Sequence, residues 1–394
     1  MRREDFIDPV PGELVATPQG ALAFVPPSLP PALSYDAQLV TLLSQADARL
    51  SELSGMGRQL LNPHLLIAPY MRQEAVLSSR IEGTQASLSD LFEEEMREAA
   101  HSPALAAPGN DAAQVRNYVL AIELGLTRLP HLPLSLRLIR ELHERLMRGT
   151  RGGNKNPGQF RSHQNYIGTH GSRIETAAFV PPPPDRMPAC LDAWEKFIHD
   201  HDAMPDLVQC AMLHAQFETI HPFADGNGRL GRLMVTLFLV ERGRLSQPLL
   251  YLSAFIEANK REYYDCLQRT RTHADWRGWI AYFLQGVEVT ARLAATQVTA
   301  LIELRERYRA RFASNAGIMV LIDGLFENPL VDAQRAARVM KKTAPTARAA
   351  IAALESEGWL TEVTGRNWGK LYVATELMAL LEKPDADLRA PQVA

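Results

Sequence analysis

The chain has 394 residues, of which 46% are hydrophobic and 22% charged, the composition of globular domains with large apolar cores. At roughly 100–200 residues per domain, this length predicts two or three domains. The 42 Lys and Arg residues nearly balance the 45 Asp and Glu residues, so the formal net charge is −3. This balance excludes a protein whose whole surface binds nucleic acid, and leaves room only for a local basic patch.

The sequence carries few compartment or redox signals. Its three cysteines are widely spaced and form no CxxC pair, which argues against a disulfide framework or a four-cysteine zinc site. The N-terminal segment MRREDFIDPVPGE lacks the apolar core of a secretory signal, and no stretch approaches the roughly 20 apolar residues of a membrane helix. We therefore expect a cytoplasmic protein that does not contact membranes.

The chain is predicted to begin with an extended arm and to continue as helices. Prolines recur between residues 9 and 31, and the residue before a proline is driven away from helical geometry. A breaker-rich stretch at 100–110 predicts a loop. Apolar residues at helical spacing predict helices over 35–61, 69–83, 87–102, 112–129, 135–147, 187–199, 206–219, 230–242, 253–271 and 276–311.

Two regions depart from this helical pattern. Residues 149–184 break it with Gly, Asn and Pro, and 167–180 is predicted to be a β-hairpin, the only sheet expected before the C-terminal region. Beyond residue 316, helical stripes at 318–326, 332–340 and 344–357 precede an alternating segment around Gly365 and Gly369. Three helices and a hairpin predict a winged helix-turn-helix domain.

The most informative segment is HPFADGNGRLGR, residues 221–232. Pro222 biases His221 away from helical geometry, so the preceding helix is expected to end there. Residues 226–228 tolerate left-handed backbone, which is the composition of an amide nest that binds anions. The apolar stripe that follows predicts a helix that begins at this loop. The free N–H groups and the positive dipole end of that helix would therefore face an anion bound in the nest.

Four side chains around this nest supply complementary chemistry. Arg229 and Arg232 can reach the same anion. Asp225 offers a hard oxygen ligand for Mg²⁺ beside phosphates, and His221 supplies a base. Together these groups predict transfer of a phosphate-containing group. The alternative is a tight turn between two core helices with a solvated arginine pair.

The segment resembles the signature of the Fic family, HxFx(D/E)GNGRxxR, and matches it at every position. Family members transfer AMP from ATP to a hydroxyl side chain of a target protein and release pyrophosphate. The related Doc kinases lack the second arginine and the GNG pattern, which disfavours their chemistry here. The resemblance implies that His221 deprotonates the hydroxyl, Asp225 holds Mg²⁺, the amides of Gly226, Asn227 and Gly228 with Arg229 bind the α- and β-phosphates, and Arg232 binds the γ-phosphate.

A second motif lies far away in the sequence. Ser78 and Glu82 are spaced i, i+4 on one helix face, and Glu82 occupies the last turn, where the helix dipole disfavours a carboxylate. SSRIEG resembles the (S/T)xxxE(G/N) inhibitory motif of Fic proteins, which implies that Glu82 pairs with Arg232. The alternative is a solvent-facing glutamate at a helix end.

Weaker features accompany these motifs. The resemblance implies that the 167–180 hairpin is a flap that offers a strand edge to the target, against the alternative of a surface loop. It also implies that Tyr264 lines the adenine pocket, although a tyrosine at helical spacing is as often a core residue. The HDHD turn at 199–202 is expected to be solvated, and His214 and Glu218 either support His221 or are buried core groups.

The C-terminal region contains a cluster of basic residues without an acid between residues 333 and 348. Such a cluster is compatible with a DNA-binding surface, and equally with a protein-docking or dimerisation module, because the winged-helix fold does not fix function. The cations are Arg335, Arg338, Lys341, Lys342 and Arg348, with Arg366 and Lys370 on the predicted wing.

These observations predict a mainly α-helical protein with a Fic-type core, a flap and a winged helix. The predicted division is an N-terminal arm and inhibitory segment (1–132), a catalytic core (133–285), a connecting helix (286–315) and the winged helix (316–394). The predicted function is autoinhibited transfer of AMP from ATP, with Mg²⁺, to a Ser, Thr or Tyr hydroxyl of a target protein or of the chain itself. The functional alternatives are a DNA-binding regulator whose core senses nucleotide, and removal of AMP by the same site. The sequence also leaves open whether the chain forms a homodimer.

Overall fold

The structure is a computed structural model of the chain, and it describes residues 1–59, 63–99, 111–150, 155–168, 171–202, 204–382 and 388. The loop predicted at 100–110 lies outside the described residues. No described helix has both the length and the apolar character needed to cross a membrane. The three cysteines are free, and Cys210 and Cys266 are buried.

The described part of the chain is mainly helical, as predicted. Two small antiparallel sheets are formed by β1 (Glu13–Ala16) with β2 (Leu22–Val25), and by β3 (Leu330–Val331), β5 (Tyr372–Val373) and β4 (Thr361–Glu362) in that spatial order. The helices are α1 (Ala37–Gln59), α2 (Pro63–Ile81), α3 (Leu88–Ala99), α4 (Asp111–Arg128), α5 (Leu136–Met147), α6 (Met187–Ile198), α7 (Asp206–Ile220), α8 (Asn227–Glu241), α9 (Ser253–Ala258), α10 (Lys260–His273), α11 (Trp276–Arg311), α12 (Ala316–Glu327), α13 (Ala333–Met340), α14 (Ala344–Ser356) and α15 (Thr375–Glu382).

Several helices differ from their predicted bounds. Helix α2 begins at Pro63, so Pro69 lies inside it rather than at its start. The single helix predicted over 253–271 is wrong: Asn259 leaves helical geometry at φ −120° and ψ 33°, and separates α9 from α10. Helix α8 begins three residues early because Gly226 adopts a left-handed conformation (φ 79°) as its N-cap. Helix α15 was not predicted.

The N-terminal arm is more ordered than predicted. β1 and β2 pair with Glu13 opposite Val25, so the expectation of a single sheet before the C-terminal region is wrong. The Phe24 N–H of β2 donates to the Val180 carbonyl at 3.0 Å, and the arm thus packs on the predicted flap. Among the described residues of the predicted hairpin at 167–180, the strand pairing is one antiparallel bridge between Ile167 and Phe179, and a 3₁₀ turn at Ile174–Thr176 precedes it on the second side.

Helices α7 and α8 form the centre of the core. Nearly every residue of both helices is buried, and α11 and α6 pack against α7. The indole of Trp279 on α11 donates to the Ala211 carbonyl at 2.8 Å, and that of Trp194 on α6 donates to the Leu213 carbonyl at 2.9 Å. Because two deeply buried helices frame it, the loop from 221 to 226 is held rigidly at the surface of the core.

The C-terminal region has the element order α12, β3, α13, α14, β4, β5. This order agrees with the winged-helix prediction, although its assignment as a functional winged helix stays a prediction. Helix α11 is continuous from Trp276 to Arg311, as predicted, so the proposed boundary at 285 falls inside one helix. Arg335 was predicted among the surface cations. Its guanidinium instead donates to the carbonyls of Gly324, Asn328 and Leu330 at 2.7–2.9 Å, and it acts as an internal brace.

Candidate functional site

The loop that links α7 to α8 carries His221 in a fixed backbone conformation. His221 is left-handed (φ 49°, ψ 60°) and ends α7, and its N–H donates to the Phe217 carbonyl at 2.9 Å. The Arg161 guanidinium donates to the carbonyls of His221 (2.9 Å), Ile220 (3.3 Å) and Pro182 (2.6 Å). These hydrogen bonds from the flap segment hold the backbone of the left-handed turn, and so fix the position of the His221 Cα that carries the imidazole.

The second half of the loop is held by side chains beneath it. Asn227 accepts the Phe223 N–H at 2.9 Å and donates to the Phe223 carbonyl at 2.8 Å, so the side chain braces the loop while the backbone amide remains at the helix N-terminus. His143 stacks on Phe223 with ring centroids 3.8 Å apart. Its Nδ1 accepts the Gly158 N–H, which leaves Nε2 to donate to the Asp225 carbonyl at 2.9 Å.

The N-terminus of α8 forms a narrow cradle lined by a buried arginine. A Cβ at Gly226 would lie 2.8 Å from the Met147 sulfur, and one at Gly228 would collide with the Glu82 carboxylate. Arg229 is 5% exposed, and its buried Nε has no hydrogen-bond partner among the described residues. The Gly226 N–H, predicted to bind phosphate, donates to Asp225 Oδ1 at 2.7 Å. A buried, incompletely satisfied guanidinium beside the N-terminus of a helix is suited to bind an anion.

Arg232, by contrast, is bound to the end of α2. Its Nε donates to Ser78 Oγ, and its Nη2 donates to the Ser78 carbonyl and to Glu82 Oε1, each at 2.8 Å. Gly83, with φ +95°, turns the chain immediately after Glu82. The Arg232 side chain is 2% exposed and that of Glu82 is 37% exposed. Loss of solvation opposes both charges, but the attraction of Arg232 lowers the pKa of Glu82, and the attraction of Glu82 raises the pKa of Arg232. The carboxylate therefore stays ionised beside Gly228 at neutral pH.

The partly buried His221 and the buried Glu218 lie together at the opposite side of the loop. The Glu218 Oε2 lies 4.0 Å from His221 Nδ1, and neither Nδ1 nor Glu218 Oε1 has a partner among the described residues. Burial and the nearby guanidinium groups of Arg271 and Arg161 lower the pKa of His221 to about 4. Burial raises the pKa of Glu218 to about 7, against the attraction of Arg232. The imidazole is thus neutral at neutral pH and able to accept a proton.

Asp225 lies at the open side of the cradle. Its carboxylate is 3.3 Å from Lys155 Nζ and 3.7 Å from Arg229 Nη2, and 39% of the side chain is exposed. Across the described residues, no three His, Cys, Asp or Glu side chains converge as a metal cluster. Asp225 is therefore a single hard oxygen ligand beside the anion cradle.

The remaining predicted features are Tyr264, His214 and the HDHD turn, and their surroundings differ. Tyr264 is 42% exposed, its ring packs edge-on against Tyr263, and burial together with the Glu82 charge raises its pKa to about 12. His214 is a satisfied core histidine, with Nδ1 at 3.1 Å from the Gly231 carbonyl and Nε2 at 2.8 Å from the Tyr263 hydroxyl. In the HDHD turn, His201 contacts Arg242 at 2.5 Å.

Three residues that position the site were not predicted from the sequence. Arg161 and Asn165 lie in the irregular FRSHQN stretch, and the Asn165 amide donates to the carbonyls of His221 (3.3 Å) and Phe223 (3.1 Å). His143 lies on the buried face of amphipathic helix α5. The available signals were a polar residue in an otherwise apolar helix face and two polar residues in a Gly/Pro-rich segment, and neither signal identifies a distant backbone partner.

Comparison with known proteins places both motifs inside recognised domains. Residues 40–127 match the Fic/DOC family N-terminal domain, which contains Ser78 and Glu82, and residues 133–239 match the Fic/DOC family domain, which contains the 221–232 loop. The chain thus contains a Fic/DOC family N-terminal domain followed by a Fic/DOC family domain. The fold of this chain is similar to that of a Fic family protein from Desulfovibrio desulfuricans G20, with a TM-score of 0.56 and 21% identity over 88% of this chain and 98% of that one.

Curated relatives are similar over part of their length. A protein adenylyltransferase Fic from Aedes aegypti is 30% identical over 166 residues, which are 41% of this chain and 29% of that protein. A probable protein adenylyltransferase from Aquifex aeolicus is 35% identical over 88 residues, which are 21% of this chain and 28% of that protein. This chain thus spans less than a third of the length of either relative.

Proposed function

We propose that this chain is a protein adenylyltransferase that transfers AMP from ATP to a hydroxyl side chain of a target protein and releases pyrophosphate. The observation that carries the proposal is the convergence, around one helix N-terminus, of a neutral imidazole, two buried arginines and an exposed carboxylate. The activity in the names of the relatives from Aedes aegypti and Aquifex aeolicus supports it.

In the proposed reaction, the groups around the α8 N-terminus bind ATP and His221 acts as the base. The α8 amides and Arg229, whose Nε has no partner among the described residues, would bind the phosphates of ATP, and Tyr264 would contact the base. His221 accepts the proton of the target hydroxyl, whose oxygen forms a bond to the α-phosphorus while the bond to pyrophosphate breaks. A positioned base of this kind contributes roughly 10²–10⁴-fold in rate.

Magnesium is expected to accompany the triphosphate. Mg²⁺ commonly takes one or two carboxylates and completes its shell with phosphate oxygens and water, and the single half-exposed Asp225 carboxylate fits that requirement. Asp225 would hold the ion, which when bound would neutralise charge on the phosphates. We expect Asp225→Ala to lose most of the Mg²⁺ dependence of the activity, measured by titration with MgCl₂.

Glu82 is proposed to inhibit the activity by occupying Arg232. A guanidinium that donates to Glu82 and Ser78 has no Nε or Nη2 hydrogen left for a γ-phosphate. The carboxylate also lies next to Gly228, where its charge repels the triphosphate. ATP would therefore bind without its γ-phosphate seated, and the α-phosphate would be misaligned for attack.

The direct test is incubation of the purified chain and of Glu82→Gly with α-labelled ATP, alone and with a cell lysate. Label on protein, lost in His221→Ala, supports adenylylation, and label on the chain itself identifies self-modification. If folded Glu82→Gly labels neither itself nor any lysate protein, the result contradicts the proposed adenylylation. Release of AMP from a pre-labelled target by the wild-type chain would instead support removal of AMP by the same site.

A second candidate function, DNA binding, is favoured by one surface. Arg335 is engaged inside the C-terminal region, but other cations of the predicted basic cluster are exposed on α14 and on the segment before it. They are Lys341, Lys342 and Arg348. The tip between β4 and β5 carries Trp368, 88% exposed, between Arg366 and Lys370. Binding to duplex DNA that weakens steeply with salt, and further in Lys341→Ala, would support this function. Absence of binding at low salt would contradict it.

A further inference from the structure

The cleft contains a buried acid that the proposed chemistry has not yet used. Glu218 is 6% exposed, and its Oε1 has no hydrogen-bond partner among the described residues. Buried carboxyl groups are normally paired, so an unpaired one beside a reactive group requires a functional explanation.

The fold aims this carboxyl group at the imidazole. Glu218 and His221 are three residues apart at the end of α7, and the left-handed turn at His221 brings the ring back over the last helical turn. Gly231 of α8 leaves space for the acid, because a Cβ there would lie 2.5 Å from Glu218 Oε1. Oε2 and His221 Nδ1 are 4.0 Å apart, about one ångström beyond a hydrogen bond.

Other charged groups near the pair are engaged elsewhere. Arg232 donates to Ser78 and Glu82, and Arg271 donates to Thr219 Oγ1 (3.1 Å) and the Glu218 backbone carbonyl (3.3 Å) rather than to the carboxylate. That same backbone carbonyl also lies near His221 Nδ1 and slightly raises the histidine pKa, without forming a hydrogen bond. This carbonyl competes with the Glu218 carboxylate for the Nδ1 proton.

We propose that Glu218 is a positioning residue that accepts a hydrogen bond from His221 Nδ1–H, and so keeps the Nε2 lone pair directed at the target hydroxyl. The proposal rests on the proposed function of His221 as the base. When the hydroxyl proton moves to Nε2, the target oxygen bonds to the α-phosphorus and pyrophosphate leaves with the electron pair of the broken bond. The Nδ1 proton stays on the ring, and its hydrogen bond to the carboxylate stabilises the imidazolium. Catalytic hydrogen bonds are often long before the substrate binds, as this one is.

The test uses two variants in the Glu82→Gly background of the full chain. Glu218→Ala removes the carboxylate and keeps the competing backbone carbonyl, and Glu218→Gln offers an amide that can donate to Nδ1 and select the wrong tautomer. Glu241→Gln is the matched control, because this carboxyl lies at the other end of α8 and accepts the Leu134 N–H. Label transfer from α-labelled ATP, ATP affinity, thermal unfolding and the ring ¹⁵N shifts of His221 are measured. Comparison with His221→Ala assigns its signals among the eleven histidines.

We expect both Glu218 variants to fold, to bind ATP within twofold of the parent, and to transfer label at least tenfold more slowly. We also expect His221 to move from the Nδ1–H toward the Nε2–H tautomer, whereas Glu241→Gln changes neither rate nor tautomer. An unchanged rate and tautomer in folded Glu218→Ala would overturn the proposal and assign the role to the backbone carbonyl. If the Glu82→Gly parent itself transfers no label, the proposed function fails, and the tautomer measurement still decides the role of Glu218.

Discussion

The two ends of the cleft use buried charge in opposite ways. At the Arg232 end, the Nε and Nη2 donors have partners at 2.8 Å, and Glu82 balances the charge. At the His221 end, Nδ1 and the Glu218 Oε1 atom are buried without partners. Satisfied buried groups stabilise a resting conformation, and unsatisfied ones are retained at a cost in stability. If Glu82 inhibits as proposed, the inhibitory contact belongs to the folded ground state, whereas the proposed base and its neighbouring acid lack partners in that state.

The largest expected effect comes from breaking the reactive end. In the Glu82→Gly background, His221→Ala should reduce label transfer by roughly 10²–10⁴-fold, because a positioned general base is lost. ATP affinity should be nearly unchanged, since the imidazole is not among the proposed phosphate ligands. Transfer rates and equilibrium dialysis with labelled ATP measure both quantities. Near-normal transfer by the variant would remove His221 from the mechanism.

Arg161→Lys tests whether the backbone clamp matters at the same end. A lysine keeps the charge but cannot donate in the planar fork that reaches the carbonyls of His221, Ile220 and Pro182. We expect transfer to fall by about 10–100-fold, because a displacement of roughly 1 Å at the base costs on this scale. The fall should appear in kcat with KM for ATP unchanged. A change confined to KM would contradict the positioning role.

His214→Gln probes the stability of the core beneath the reactive end. Burial lowers the pKa of His214 to about 4, so below about pH 6.5 the unfolded chain binds a proton that the folded chain does not. The stability contributed by neutral His214 is therefore present above pH 6.5 and is lost as the pH falls toward 4. The variant should be destabilised by about 1–3 kcal/mol at pH 7.5.

This destabilisation should shrink at pH 5 by on the order of 1–2 kcal/mol, because only the wild-type chain loses the histidine contribution. Denaturant unfolding at both pH values measures the difference. If the loss of unfolding free energy in His214→Gln is the same at both pH values, His214 titrates normally in the folded state.

The smallest effect is expected where α2 is held at its C-terminus. Lys260 Nζ donates to the Ile81 carbonyl at 2.6 Å, one residue before Glu82. Removing a cation from a helix C-terminus costs roughly 0.3–1 kcal/mol, so Lys260→Ala should weaken the hold on Glu82 and raise transfer two- to fivefold. The neighbouring Arg261, whose side chain is 96% exposed, provides the control Arg261→Ala. Equal rates in both variants would exclude Lys260 from the inhibition.

The parts that were predictable from the sequence are those encoded by local spacing. Helix periodicity located α5 and α11, and the Ser135 hydroxyl accepts the Leu138 N–H as an N-cap. The 221–232 residues share one loop and one helix start, so their proximity follows from the sequence itself. Glu82 and Arg232 are 150 positions apart, and only the family resemblance related them.

The unpredicted parts depend on long-range hydrogen bonds. Arg161 contacts backbone carbonyls up to 60 positions away, and carbonyl groups leave no trace in residue identity. The β1–β2 hairpin was hidden by the prolines that surround its two short strands. The break at Asn259 has no Gly or Pro to mark it. The sequence left open whether Glu218 supports His221 or is a buried core group, and only the structure shows that its Oε1 has no partner among the described residues.

The central claim, that Glu82 restrains AMP transfer through Arg232, is tested most directly by one double-mutant cycle. The rate of label incorporation from α-labelled ATP is measured for the wild-type chain, Glu82→Gly, Arg232→Ala and the double variant. We predict that Glu82→Gly raises incorporation about tenfold or more, because the freed guanidinium binds the γ-phosphate, and that the gain disappears when Arg232 is also replaced. Equal or lower incorporation by folded Glu82→Gly, or a gain that persists in the double variant, would contradict the claim.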